Sequence, residues 1–325
     1  MTRTLSIPFK LFSIILLALS HTNSSFASGW LFGMHNDAIS DEDGNYTNAV
    51  FINYTSEAPA LNNPFWQTLT AFDPNPLRYA VNYQFGQQMW TPSDISIATP
   101  QPDERPYAGL LFGEASVLGY SKVSSYRLSL LVGAVGEQSK AGDTQTLLHE
   151  LIGATTPEGW DNQIEDDIVY QVTAEADQLI ARPAMLIGES DLSIYQRVAA
   201  GNYQSEVAFG STVRWGVDLG ANYNNLSLHP YRLQGMLLAP NSSGIMLYAT
   251  AEIRYRFNDI TIEGDTPETV PDITLNNVQA TAAAGLLAYY QNVGIKFSVV
   301  AMSPDYEEDS HEEYIVGSLG LFWQF

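Results

Sequence analysis

Alternation of apolar and polar side chains is the feature that most constrains how this 325-residue chain folds. The segment 247–257 shows it most clearly. Its apolar face carries Leu247, Ala249, Ala251, Ile253, Tyr255 and Phe257. Its polar face carries Tyr248, Thr250, Glu252, Arg254 and Arg256. The segments 168–175, 207–217 and 293–299 alternate in the same way, and this period of two predicts β-strands with one apolar and one polar face.

The length of these segments distinguishes between two all-β folds. After residue 27 the chain has no run of about 18 apolar residues, which excludes a membrane-spanning helix. Alternating segments of about ten residues favour a transmembrane antiparallel β-barrel. A soluble β-sandwich also alternates, but its strands are shorter. The 18 tyrosines and six tryptophans suit the aromatic girdles of a membrane barrel.

We predict a single barrel domain, 28–325, with about twelve strands. The predicted strands lie near 29–37, 45–55, 77–90, 106–119, 124–137, 167–178, 191–202, 204–218, 245–258, 278–290, 293–302 and 313–325. Segments 56–76 and 259–277 are predicted to be irregular connections, and 229–240 is ambiguous. The last strand places Ile315, Gly317, Leu319, Leu321, Trp323 and Phe325 on one face. An aromatic carboxyl-terminal residue is common in outer-membrane barrels.

Residues 1–27 are predicted to be a secretory signal peptide. Arg3 and Lys10 precede or flank a short apolar run at 11–19, and Ser25-Phe26-Ala27 is typical of a cleavage site. Removing this segment leaves 12 basic and 36 acidic residues, a net charge of −24, which disfavours nucleic acid as a partner. The chain has no cysteine, which excludes a cysteine nucleophile, a thiolate metal site and disulfides.

The connection 145–163 holds the strongest candidate for chemistry. Asp143 or Thr144 is expected to cap a short helix that Gly153 ends. Gln145 and His149 are four residues apart and share one flank of that helix. An imidazole beside a carboxamide suits a general base that activates water. The alternative is a loop histidine that only caps or packs.

Barrel topology predicts that further polar residues meet at the same end as His149. Odd strands run outward from a periplasmic amino terminus, so the connections after strands one, three and five share one mouth. These connections bring Asn36, Asp37 and Thr47 together with Arg105 and Tyr107.

Six pieces of the chain resemble the outer-membrane lipid A 3'-O-deacylase family. They are Asn36-Asp37, YTNA at 46–49, MWTPSD at 89–94, ERPYAG at 104–109, the Gln145–His149 spacing and GWDNQIEDD at 159–167. Their order and spacing carry the resemblance, which covers the amino-terminal half best. It implies a twelve-stranded barrel in the bacterial outer membrane, with its active site facing the cell exterior. We expect it to act as a monomer.

The resemblance also implies the roles of particular residues. His149 is expected to be the general base, with Gln145, Asn36, Asp37 and Thr47 at other catalytic positions. The family depends on Ca²⁺, for which Asp37 and Asn36 offer hard oxygen ligands. The implied substrate is lipid A within lipopolysaccharide, and the implied reaction is hydrolysis of its 3'-linked acyl ester.

The chain departs from the family pattern in ways that bear on substrate recognition. A lysine expected after the third strand is absent from SDISIAT at 93–99, and Arg105 with Tyr107 is the predicted replacement for substrate binding. Thr155 and Pro157 replace a glutamate and a tyrosine, with Glu158 as a substitute carboxylate. A catalytically inactive structural or binding barrel therefore stays open, as does a barrel phospholipase. No G-x-S-x-G and no His-x-Ser occurs, which disfavours a serine hydrolase.

Overall fold

Twelve antiparallel strands form a closed barrel in the computed structural model, which describes residues 27–37, 44–59, 77–183, 185–219 and 243–325. The strands are β1 (Ser28–Asn36), β2 (Asn45–Ala58), β3 (Arg78–Thr91), β4 (Ala108–Tyr120), β5 (Ser124–Val135), β6 (Asp167–Ala181), β7 (Glu189–Gly201), β8 (Gln204–Gly216), β9 (Ser243–Asp259), β10 (Val278–Tyr290), β11 (Val293–Met302) and β12 (Tyr314–Gln324). Each strand pairs with its neighbours in sequence, and β1 pairs with β12 to close the sheet. The predicted twelve-stranded barrel is confirmed.

The observed strands extend beyond the predicted ends in places where backbone pairing continues past the clear alternation. β2 runs to Ala58 because Ser56, Glu57 and Ala58 pair with β3. β6 similarly runs to Ala181. The predicted signal peptide, except Ala27, lies outside the described residues, as do the ambiguous segment 229–240 and most of the predicted connection 56–76.

Side chains alternate between the outside of the barrel and its interior, as the sequence predicts. On β9, Leu247 and Ile253 are exposed, whereas Tyr248, Glu252 and Arg254 are buried. Exposed aromatic residues mark both ends of the outer surface. We call the end with the connections 92–107, 136–166, 260–277 and 303–313 the upper rim, and the end with Ser28 and Phe325 the lower rim. Tyr170, Tyr255 and Phe257 are exposed towards the upper rim, and Trp215, Tyr290, Trp323 and Phe325 towards the lower rim.

The barrel interior is lined by paired charges. The Arg197 guanidinium donates to Glu206 at 2.9 Å and to both carboxylate oxygens of Glu252 at 3.1 Å. Arg256 bonds Glu206 and Asp259 in turn. Buried charges that lack a partner are costly, so this pairing allows polar side chains to occupy the interior.

In the described part of the upper-rim connections there are two helices and two 3-10 turns. They are α1 (Ala141–Ile152), α2 (Ile260–Glu263) and the turns Gly136–Ser139 and Trp160–Asn162. No helix in the described ranges is long and apolar enough to cross a membrane. Gly153 ends α1 in the left-handed conformation, as predicted. The predicted cap is wrong: α1 begins after Lys140, which is itself left-handed because it follows directly from the first 3-10 turn.

Replacing Arg197 tests the role of the interior charges. We expect Arg197→Met to lower the free energy of unfolding by about 3 kcal/mol, because Glu206 and Glu252 each lose a buried partner. Denaturant titration of the refolded barrel measures the change. As a control, Arg78→Met removes a surface pair with Glu57 and should cost less than about 1 kcal/mol. Equal effects of the two substitutions would contradict a stabilising role for the interior pairs.

Candidate active site

The connection 136–166 lies against the outside of the barrel wall near the upper rim. On β3, Gln84, Gln88 and Trp90 line an interior cavity, so the alternate residues face outward. One of these, Gln87, donates from its side-chain amide to the carbonyl of Ser139 at 2.7 Å. The prediction that all these residues converge on the mouth is therefore wrong for Gln145 and His149, because α1 begins beside the wall and not over the lumen.

Gly109 allows this close approach. It follows Ala108 at the start of β4 and faces outward, where a Cβ atom would lie 2.2 Å from Ser139 Oγ and 2.4 Å from Ala141 Cβ. Any larger residue would push the start of α1 away from the wall. The predicted ERPYAG motif thus contains a packing glycine that positions the helix.

Gln145 is fixed in a buried contact between α1 and the returning chain. Trp160 Nε1 donates to Gln145 Oε1 at 2.8 Å, and the Trp160 ring lies 5.0 Å from the Tyr107 ring. Because an indole N–H only donates, the bond orients the carboxamide. Gln145 Nε2 is buried and has no hydrogen-bond partner within the described part of the chain.

His149 lies one turn further along α1, and its ring orientation is set by the backbone. His149 Nδ1 lies 2.5 Å from the Thr155 carbonyl oxygen. A carbonyl can only accept, so Nδ1 carries the proton and Nε2 presents its lone pair. This is the tautomer that a general base requires.

Polar residues of β1 and β2 face outward at the same rim. Asn36 pairs with Asn48 across the strands, and Asn48 pairs in turn with outward-facing Met89. A β-bulge between Tyr46 and Asn48 adds Thr47 to this face, where its hydroxyl lies 2.8 Å from that of Thr91. The bulge therefore brings one more polar side chain to the outer surface.

The predicted residues on β1 and β2 and those in the connection 136–166 lie on either side of the outer face of β3. Met89 packs in one buried cluster with Ala141, Tyr107 and Trp160, and Trp160 holds Gln145. Asn36, Thr47 and Gln145 thus lie along the outer side of β1–β3, with His149 one turn beyond Gln145 on α1 and Asp37 just above the end of β1.

Arg105 and Tyr107 do not lie where substrate binding was predicted. Arg105 is fully buried at the barrel mouth, over the ring of Trp90, and donates to Asn45 at 2.5 Å and to Thr261 at 3.0 Å. Its guanidinium also lies 3.7 Å from Asp305, so it joins three upper-rim connections to one another. These contacts assign Arg105 to closure of the mouth.

Tyr107 is buried as well. Its hydroxyl donates to the carbonyl of Ile95 at 3.3 Å, and burial raises its pKa to about 12. Its ring packs against Trp160, and its hydroxyl is already bonded to the Ile95 carbonyl. We therefore assign it a positioning role.

The possible cation ligands at the upper rim are oxygens of both amide and carboxylate side chains. Within the described ranges, no group of three or more His, Cys, Asp or Glu side chains could hold a metal ion. The rim instead offers amide and carboxylate oxygens, which suit Ca²⁺. Asp37 is buried and accepts the amide of Gly44 at 3.2 Å, and Asn48 Oδ1 is buried without a partner in the described chain. The oxygen donors present therefore fit a Ca²⁺ site.

Sequence reasoning did not assign two residues of this site. Asn48 lies within the YTNA motif and is the cross-strand partner of Asn36, so strand register could have identified it. Trp160 lies in the GWDNQ turn, and only the folded connection shows that it orients Gln145.

Fold and site together define an outer-membrane type β-barrel with a polar site on the outside of its wall. The family of outer membrane protein LpxR matches residues 9–325, and the chain belongs to this family. The membership supports an outer-membrane lipid A deacylase.

One solved structure supports the fold, and a second, less similar barrel also matches. LpxR from Salmonella typhimurium superposes with a TM-score of 0.77 at 16% identity, covering 91% of this chain and 99% of that one. The translocator domain of the autotransporter NalP from Neisseria meningitidis gives 0.41 at 9% identity, covering 97% of this chain and 94% of that one. No curated protein sequence matches the chain.

The packing of Gly109 gives a direct test of the site's architecture. We expect Gly109→Val to displace α1 from the wall, because its side chain would overlap Ser139 and Ala141. The measurement is the rate of tryptic cleavage after Lys140, which should rise while the barrel still changes its gel mobility on boiling. Gly113→Val is the matched control, since a Cβ there meets only a carbonyl oxygen at 4.0 Å. Equal cleavage in both variants would contradict the packing of α1 against β4.

Proposed function

We propose that the protein is a Ca²⁺-dependent lipid A deacylase that hydrolyses the 3'-linked acyl ester by attack of a water molecule. The family membership supports the substrate class. The observation that carries the mechanism is the bond from His149 Nδ1 to the Thr155 carbonyl, because it leaves Nε2 as a base on the outer side of the wall.

His149 Nε2 takes a proton from water as the water oxygen attacks the ester carbonyl. The resulting tetrahedral intermediate collapses when the C–O bond to the sugar breaks. The imidazolium then returns the proton to the departing sugar oxygen, so the products are a free fatty acid and a hydroxyl group. The Thr155 carbonyl keeps a proton on Nδ1 throughout this cycle, so only Nε2 gains and loses a proton.

Gln145 is suited to stabilise the negative charge of the intermediate. Trp160 occupies its carboxamide oxygen, so the buried Nε2 remains as a hydrogen-bond donor. A preorganised donor directed at a developing oxyanion typically contributes about 10²–10³ in kcat. Tyr107 and Trp160 provide the rigid support that such a donor requires.

Asp37 and Asn36 would hold the Ca²⁺ ion, with Asn48 as a further oxygen donor. A bound cation of this kind polarises an ester carbonyl and stabilises an oxyanion. Thr47 borders the same polar face, where its hydroxyl is held by Thr91.

The location of the site favours a lipid substrate. The site borders the outer wall, whose exposed surface is apolar, so an acyl chain in the membrane could lie beside it. We further propose that the upper rim faces the cell exterior and that the protein works as a monomer. Both ends of the described barrel lie at the lower rim, together with the tight turns at 121–123 and 291–292, which is typical of the periplasmic side.

Replacing the proposed base tests the activity. His149→Ala should lower the deacylation rate by about 10²–10⁴, since general base catalysis contributes that much. Mass spectrometry of lipid A from a Gram-negative host is the measurement, and the wild-type chain should remove the mass of the 3' acyloxyacyl group. The control is Glu150→Ala, an exposed neighbour on the same helix, which should behave like the wild type.

Other results of the same measurement redirect the assignment. Loss of an acyl group from phospholipid, with lipid A intact, would indicate a barrel phospholipase. Unchanged lipids in the presence of calcium would indicate an inactive structural or binding barrel. Full activity of His149→Ala would refute the proposed base.

Removal of the ion tests whether the reaction requires Ca²⁺. We expect an excess of chelator to abolish deacylation and Ca²⁺ to restore it, whereas Mg²⁺ should restore it poorly because it requires stricter octahedral geometry. Asp37→Ala should reproduce the chelated state at any calcium concentration. Undiminished activity in chelator would contradict the metal-assisted reaction.

A further inference from the structure

Helix α1 exposes a stripe of large aliphatic side chains. Leu147, Leu148, Leu151 and Ile152 are 56%, 38%, 73% and 75% exposed. They lie three and four residues apart, so they form one continuous surface on the helix. We call these four residues the α1 stripe.

The α1 stripe is not the surface that attaches the helix to the barrel. That attachment uses the first turn of the helix, where Ala141 is buried and a Cβ on Gly142 would lie 3.0 Å from the Trp160 ring. The exposed acidic residues Asp143 and Glu150 lie on a third side, seven residues apart. The later turns of α1 therefore carry an aliphatic side and an acidic side, and the described barrel leaves the aliphatic side uncovered.

Strand register gives the level of α1 on the barrel. The outward-facing residues Met34, Val50, Gln87, Leu111, Ala134 and Ile168 form one row of neighbours across β1–β6. Gln87 bonds Ser139 just before α1, while Met34, Val50 and Ile168 in this row are exposed and apolar. Tyr170, an exposed aromatic typical of a membrane interface, lies one outward position below Ile168.

We propose that the α1 stripe is embedded in the acyl-chain layer of the membrane leaflet at the upper rim, so that α1 is an interfacial anchor beside the site. The occupant of the stripe is lipid, since α1 starts at the level of exposed apolar residues of the outer wall. A helix with one aliphatic and one acidic face lies in an interface with its apolar face among the acyl chains. This proposal concerns membrane contact alone and holds whether or not the chain is an enzyme.

The absence of cysteine makes the test direct, because one introduced thiol is the only site that a probe can label. Leu151→Cys and Ile152→Cys carry an environment-sensitive fluorophore on the stripe, and Glu150→Cys and Asp143→Cys carry it on the acidic face as controls. Each protein is reconstituted into phosphatidylcholine vesicles that contain phosphatidylcholine with a nitroxide high on its acyl chain. Retained heat-modifiable gel mobility shows that each labelled barrel is folded.

We expect the stripe labels to be quenched by the nitroxide lipid at least about twofold more than the acidic-face labels, because only the apolar face of an interfacial helix is among the acyl chains. A water-soluble paramagnetic quencher should give the reverse order. Equal quenching at all four positions would overturn the proposal. Shielding of the stripe that grows with the protein-to-lipid ratio would also overturn it, because that dependence identifies a second copy as the occupant.

Discussion

Backbone hydrogen bonding in an apolar medium is the constraint on which the rest of this structure depends. Lipid offers no partner to a peptide group, so a sheet in a membrane has to close on itself. Here β1 and β12 complete the ring, with pairing from Gly29 opposite Gln324 to Asn36 opposite Gly317. Closure fixes which side chains face lipid and which face the interior, and this division determines the character of both surfaces.

The same division explains how well the fold could be predicted. In a segment that alternates as regularly as 247–257, every second residue faces the outside and the others face the interior. The number and positions of the strands could therefore be predicted from the sequence. The ends of β2 and β6 could not be predicted in this way, because their last residues are held by cross-strand pairing that the side-chain pattern does not show.

The site was only partly predictable, for a related reason. Their spacing predicted that Gln145 and His149 lie on one helix, which is a local property, and both lie on α1. Arg105 was assigned to substrate because its charge suits an anionic lipid, yet it is buried between Asn45 and Thr261. Its partners are distant in sequence and are brought together only by the barrel, so no local pattern could show that its hydrogen bonds are already used. The position of α1 outside the wall depends likewise on the approach of Ser139 to Gly109.

The placement of α1 beside the wall has a consequence for how any ligand of this site arrives. Arg105 joins the connections over the mouth and paired charges line the lumen, so under the proposed function the lipid reaches Gln145 and His149 from the outer side of the wall, along the membrane plane. Encounter is then a problem of lateral diffusion in two dimensions. The encounter rate then depends on the surface density of the lipid and on the fluidity of the leaflet. It does not depend on the concentration of lipid in bulk water.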